Sequence, residues 1–108
     1  MGNNVFLQYC MRIYSKGTLR KFWEKHTDAR TPLEFWYSVI EANSFEHPHQ
    51  VVSYFRSADQ VGNGRIVFNI ANNKYRLIAK FEYSIQSVFV RFIGTHKEYE
   101  AIDNIKNI

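Results

Sequence analysis

From Arg65 onward the chain changes its hydrophobic period. Apolar and polar residues alternate in three runs, RIVFNI, KYRLIAKFEY and SVFVRFIG, separated by short turn-forming stretches. A period of two marks half-buried β-strands, so this half is committed to an antiparallel sheet whose apolar face needs a covering layer. Asn72 and Asn73 suit a two-residue hairpin, because Asn tolerates the positive φ that such turns require. A loop there pairs Ile70 with Tyr75, Phe68 with Leu77 and Ile66 with Ala79 on the apolar face. The opposite face then carries Asn69 beside Arg76, Val67 beside Ile78 and Arg65 beside Lys80. For the next hairpin, a loop at Ile85 and Gln86 places Phe81 opposite Val90 and Ala79 opposite Phe92. It also sets Lys80 against Arg91 and Arg76 against Thr95. A slip of one residue would drive Arg91 inward, where an unpaired charge is costly.

The covering layer is legible upstream. RIYS, after Met11, reads as a short strand. KGTLRKFWEKH carries Leu19, Phe22, Trp23 and His26 at helical spacing, with His26 at the helix end beside the last carbonyls. In TPLE, Thr31 is the expected cap, Pro32 fits the first helical position and Glu34 completes a capping box. Leu33, Trp36, Val39 and Ile40 then form one apolar stripe, and these aromatics read as core. SFEHPHQVVSYFRSADQVGNG reads as a connector with one helical turn after Pro48. His47 and His49 stand two apart with no Cys or acidic cluster, so they read as solvated loop residues rather than metal ligands. No metal or cofactor is expected. The class is α+β: a single domain over residues 11–108, preceded by an extension, residues 1–10, expected to be flexible.

Composition narrows the setting. A chain of 108 residues is one domain, and 45% hydrophobic content supplies a real core. No apolar run approaches the ~20 residues that span a bilayer, and MGNNVFLQYC lacks the regions of a secretory signal. The single Cys10 leaves no intrachain disulfide, which fits a reducing cytoplasm. Between residues 61 and 97, Arg65, Lys74, Arg76, Lys80, Arg91 and Lys97 face the single acid Glu82. A polyanionic partner accounts for that concentration; a basic surface serving solubility alone is the alternative. In the register above, Arg65, Lys80 and Arg91 make a row of cations, unfavourable by up to ~1 kcal/mol per pair. Either an outside anion sits over the row, or Glu82, Glu98, Glu100 or Asp103 neutralises it.

After the last strand, THKE repeats the capping-box pattern, with Thr95 as cap and Glu98 three residues on. His96 then lies in the first helical turn, with Tyr99 on the same face. The register brings Arg76 and Arg91 toward the same junction, where free backbone N–H groups favour an anion. Such a set suits metal-free RNA cleavage, in which a 2′-hydroxyl attacks the adjacent phosphate. His96 suits either proton-transfer role, and Tyr99 serves as base only beside cations. Arg76 and Arg91 stabilise charge building on the phosphorane, while Arg65, Lys74, Lys80 and Lys97 hold flanking phosphates. The plainer alternative has His96 starting the helix and Tyr99 packing as core.

RIVFNIANNKYRLIAKFEY and VFVRFIGTHKEYEAID resemble the HigB toxins of bacterial type II toxin–antitoxin modules. MRIYSKGTLRKFWEKH, PLEFWY and SADQVGNGRIVFNI extend the resemblance over residues 11–103. It implies a RelE/ParE-like fold: a twisted antiparallel sheet, two N-terminal helices on one face, a cleft on the other and a short C-terminal helix. It implies a ribosome-dependent mRNA interferase, neutralised by a HigA-like helix-turn-helix antitoxin whose complex with it represses operator DNA. The resemblance carries Arg91, His96 and Tyr99 as site residues and Arg76 as a further one, and leaves the division of labour between His96 and Tyr99 open. A ParE-like gyrase inhibitor and a plain RNA- or ribosome-binding module are the rival readings, since this scaffold hosts more than one activity.

Overall fold

The computed structural model describes residues 10–108; the extension expected over residues 1–10 lies, Cys10 apart, outside them. The elements run β1 (Arg12–Tyr14), α1 (Lys16–Lys25), α2 (Arg30–Glu41), α3 (Pro48–Val52), β2 (Asp59–Gly62), β3 (Arg65–Ile70), β4 (Tyr75–Glu82), β5 (Ser87–Thr95) and α4 (His96–Glu100). One five-stranded sheet has the order β1-β5-β4-β3-β2. The α+β class holds. The sheet is mixed rather than wholly antiparallel, because β1 pairs with β5 in parallel. No helix among the described residues is long and apolar enough to cross a membrane.

The β3–β4 register is the one expected, from Arg65 opposite Lys80 to Ile70 opposite Tyr75. Asn72 and Asn73 both take positive φ, and the Lys74 N–H donates to the Ala71 carbonyl to close the turn. Ile66, Phe68, Ile70, Tyr75, Leu77, Ala79 and Phe81 form the inner face of this pair. They pack with Leu19 and Trp23 of α1 and with Leu33, Trp36 and Ile40 of α2. Trp36 meets Phe68 edge to face, centroids 5.5 Å apart, an arrangement that aromatic quadrupoles favour.

Three local readings need correction. First, Thr31 does not cap α2. A 3₁₀ turn at Thr27–Ala29 leads straight into a helix that already begins at Arg30, and the Arg30 N–H donates to Thr27 O. Glu34 instead accepts from Arg30 Nε at 3.3 Å, one helical turn back. Second, the connector contains β2, which pairs with β3 around Gly62, Asn63 and Gly64, all at positive φ. Third, the β4–β5 turn is a 3₁₀ turn at Tyr83–Ile85 closed by a left-handed Gln86, so Glu82 pairs with Ser87 and Phe81 with Val88.

Burial on the outer face was not anticipated. Val67 and Ile78 alternate away from the core, yet they are 5% and 0% exposed. The segment after α4 turns back toward β2 and the start of β3. Its 3₁₀ turn at Ile105–Asn107 lies against β2, and Asn63 Nδ2 donates to the Lys106 carbonyl at 3.1 Å. Ile102, Ile105 and Ile108 are half-buried along this path. β4 is therefore covered on both faces. Ile78→Ala should behave as a true core deletion, costing about 2–5 kcal/mol in urea unfolding. A loss below about 1 kcal/mol would mean that the returning segment does not seal that face.

Candidate active site

The last strand decides which side chains reach open surface. Tyr75 to Ile78 pair with Thr95 to Phe92 in one register, whereas Ala79 to Glu82 pair with Val90 to Ser87 in another. Arg91 is the extra residue between them, a β-bulge. The expected pairs Lys80–Arg91 and Arg76–Thr95 are thus replaced by Lys80–Phe89 and Arg76–Gly94. The cation row does not form. Val88 and Val90 point to the core, and Ile93 takes the inward place expected of Phe92, while Phe89, Arg91 and Phe92 are left on the outer side.

Thr95 caps α4 as expected: its Oγ1 accepts from Glu98 N at 3.1 Å, and Glu98 Oε1 accepts from Thr95 N at 2.8 Å. The His96 N–H donates to Lys74 O at 3.2 Å, tying the helix start to the β3–β4 turn. Gly94 makes room for the arrangement. A Cβ there would sit 2.6 Å from Phe92 Cζ and 2.7 Å from Glu98 Oε1, well inside van der Waals contact.

Arg76 and Tyr99 come together. The Arg76 Cζ lies 5.8 Å from the Tyr99 ring centroid, and Phe92 lies 6.5 Å from the same ring. Arg76 Nη1 donates to Asn73 O at 2.9 Å, which fixes one edge of the guanidinium. The exposed His96 pairs its Nε2 with Glu100 Oε2 at 2.8 Å. Glu100 was expected only as a counter-charge to the cation row and not as the partner of His96, although i,i+4 spacing on a helix is a readable signal. Arg91 is exposed and stands over Phe89, with Cζ 5.5 Å from the ring centroid. Lys97, in the first turn of α4, is also exposed.

The other basic residues have internal partners. Arg65 is 8% exposed; its Nη1 donates to Asn63 O at 3.0 Å, and Nε and Nη2 donate to Ile108 O. Lys74 pairs with Asp28, which also accepts from the Tyr75 hydroxyl at 2.6 Å. Those bonds hold the Asp28 carboxyl below its ordinary range and raise the Lys74 ammonium, Asp28 being the cause. Lys80 Nζ lies 2.7 Å from Glu82 Oε2. Clefts of about 340 and 380 Å³ open near the end of α2 and the β4–β5 turn and involve none of these residues. The candidate site is a face of the sheet, not a hole in it.

With this geometry in place, comparison with known proteins decides the family. The model of HigB toxins, described as the RelE-like toxic component of a toxin–antitoxin system, matches residues 29–102. The chain belongs to the HigB toxin family. The mRNA interferase toxin HigB of Escherichia coli K12 is 27% identical over 92 residues, covering 83% of this chain and 88% of that protein. The mRNA interferase HigB of Shigella flexneri matches to the same extent. That of E. coli O6:H1 is 27% identical over 94 residues, or 85% and 91% of the two chains. As a HigB-family toxin, this chain has a cognate antitoxin as partner.

Glu82 is the acid that answers Lys80. The hydrogen bond from Lys80 and that ammonium's charge hold its carboxyl below the ordinary 4.5, with Arg65 and Arg91 adding to the effect. A depressed carboxyl pKa stabilises the fold above its ordinary value, and that contribution vanishes as pH falls through the folded value. Glu82→Gln should therefore lower the melting temperature near neutrality, with the difference steady down to about pH 5 and closing as further acidification takes the carboxyl through its lowered folded value. Thermal melts across that range check it; a pH-independent difference would remove the carboxylate's charge from the account.

Proposed function

We propose that this HigB-family chain is a ribosome-dependent mRNA interferase that acts in the cytoplasm on messages under translation. The relatives named mRNA interferase support the activity class. The observation that carries the reading is the Arg76–Tyr99 contact on the face where the bulge also turns Arg91 outward.

The 2′-hydroxyl oxygen attacks the adjacent phosphorus, the bond to the 5′-oxygen breaks, and a 2′,3′-cyclic phosphate and a 5′-hydroxyl result. One proton leaves the 2′-oxygen and one reaches the departing 5′-oxygen. Arg76 and Arg91 are the groups for the dianionic phosphorane, since a guanidinium meets phosphate oxygens in a fixed planar fork. His96 donates to the leaving oxygen. Glu100 already holds Nε2, which leaves Nδ1 as the atom that exchanges a proton with RNA. Tyr99, beside Arg76, receives the proton of the attacking hydroxyl. Lys97 meets a flanking phosphate. Lys80, Lys74 and Arg65 do so only by yielding their carboxylate and carbonyl partners, so their contribution is the smallest. A HigA-like antitoxin neutralises the toxin, and the pair represses its operator DNA.

In a cell-free translation system, His96→Ala and Arg91→Ala should each slow message cleavage by about 10²-fold or more. Far-ultraviolet circular dichroism and co-purification with the antitoxin should be unchanged. Retained cleavage in both variants would reject the site. Inhibition of gyrase with intact messages would replace the nuclease by a ParE-like toxin.

A further inference from the structure

The outer face carries two aromatic rings that the core does not use. β1 lies beside β5 with Tyr14 opposite Phe89, and their rings stack with centroids 5.2 Å apart and planes inclined by 14°. Neither belongs to the core cluster, toward which Ile13 and Val88 point. Tyr14 is 46% exposed. Arg91, the bulge residue, stands over Phe89. Arg12 is exposed and shares Tyr14's face by strand alternation.

A near-parallel aromatic pair outside the core, with Tyr14 exposed and Phe89 half-buried, forgoes part of the burial that stabilises such rings elsewhere in the molecule. Flanked by two guanidiniums, it matches the recurring design of single-strand RNA surfaces: π-faces for bases, cations for the backbone between them. Along β5, Phe89 lies five positions before Gly94, the partner of Arg76. That is roughly 15 Å at strand rise, so a base held on the Tyr14–Phe89 pair flanks the cut and is not the one at it. We propose that Tyr14 and Phe89 form a stacking platform for an unpaired message base beside the scissile phosphate, with Arg12 holding the adjoining backbone and Arg91 standing between the platform and that phosphate. The assignment rests on the nuclease reading for the identity of the strand, and on the stacked rings and their flanking charges for the site itself.

The test uses the full chain and a short single-stranded RNA with 2′-O-methyl riboses, which cannot be cut, carrying 2-aminopurine at successive positions. Binding should quench the fluorophore at one position or a neighbouring pair. Phe89→Leu and Tyr14→Leu keep an apolar side chain but remove a π-face; each should weaken binding about tenfold and abolish the quench. Phe89→Trp should retain both, and it guards against reading a folding defect as lost stacking. Unchanged affinity and quench in Phe89→Leu, or no quench by the unaltered chain at any position, would overturn the platform. Unchanged RNA affinity with loss of the co-expressed antitoxin would overturn it in favour of a protein partner. Cleavage of translated message, followed in parallel, separates the two readings. A chain that quenches without cutting keeps the platform and loses the nuclease; one that cuts without quenching does the reverse.

Discussion

The site depends on one extra residue in β5. Val88, Val90 and Ile93 all pack toward the helices, yet the first two have even numbers and the third an odd one. A regular strand cannot satisfy all three, because side chains alternate strictly. Continuing the register of Ala79–Val90 toward the helix would send Phe92 and Gly94 inward and Ile93 out. Continuing that of Ile78–Phe92 the other way would bury Arg91 and Phe89. The bulge at Arg91 resolves the conflict. It keeps three aliphatic residues in the core while Phe89, Arg91 and Phe92 remain outside, and it separates the stretch of β5 that meets Arg76 from the stretch that meets β1.

The outer face is divided in consequence. On its β2–β3 side Val67 and Ile78 are buried, and the returning C-terminal segment lies against β2 and binds Arg65 through Ile108. Its β5–β1 side stays open, and there the sheet presents Arg91, Phe89 and Tyr14, with α4 standing at the end where Arg76 meets Tyr99. The helix is short, but its position is overdetermined. The reciprocal Thr95–Glu98 bonds, the His96 N–H to Lys74 carbonyl bond and the space left by Gly94 each fix the same junction.

What the sequence alone revealed follows from locality. The β3–β4 register was legible because alternation runs unbroken on both strands and Asn72-Asn73 names the turn. The α4 cap was legible because both partners lie within four residues. β2 was not, since DQVG is a short edge strand with no alternation to read. The bulge was written in the sequence as a parity break between Val90 and Ile93, a signal that assuming a uniform register conceals. The fates of Arg65 and Lys74 were out of reach, because Ile108 and Asp28 become their neighbours only through the tertiary fold. His96 and Tyr99 could be placed on one helix, but nothing local states that Arg76 would lie against the Tyr99 ring.

The basic residues therefore divide by how they are held, and the division bears on function. Lys74 and Lys80 are each held by a carboxylate, Asp28 and Glu82, so much of their charge is already answered within the molecule. Arg76 and Arg91 are held by rings, Tyr99 and Phe89, and neither pairs with a carboxylate among the described residues. An aromatic face steadies a planar guanidinium by about 0.5–1 kcal/mol at an exposed position without cancelling its charge. It also leaves in-plane N–H groups to meet a phosphate edge-on, on Arg76 those other than the Nη1 group bonded to the Asn73 carbonyl. A carboxylate would use those same groups. Holding cations by rings combines a fixed position with an undiminished field, and that combination is what a face built to receive an RNA backbone requires.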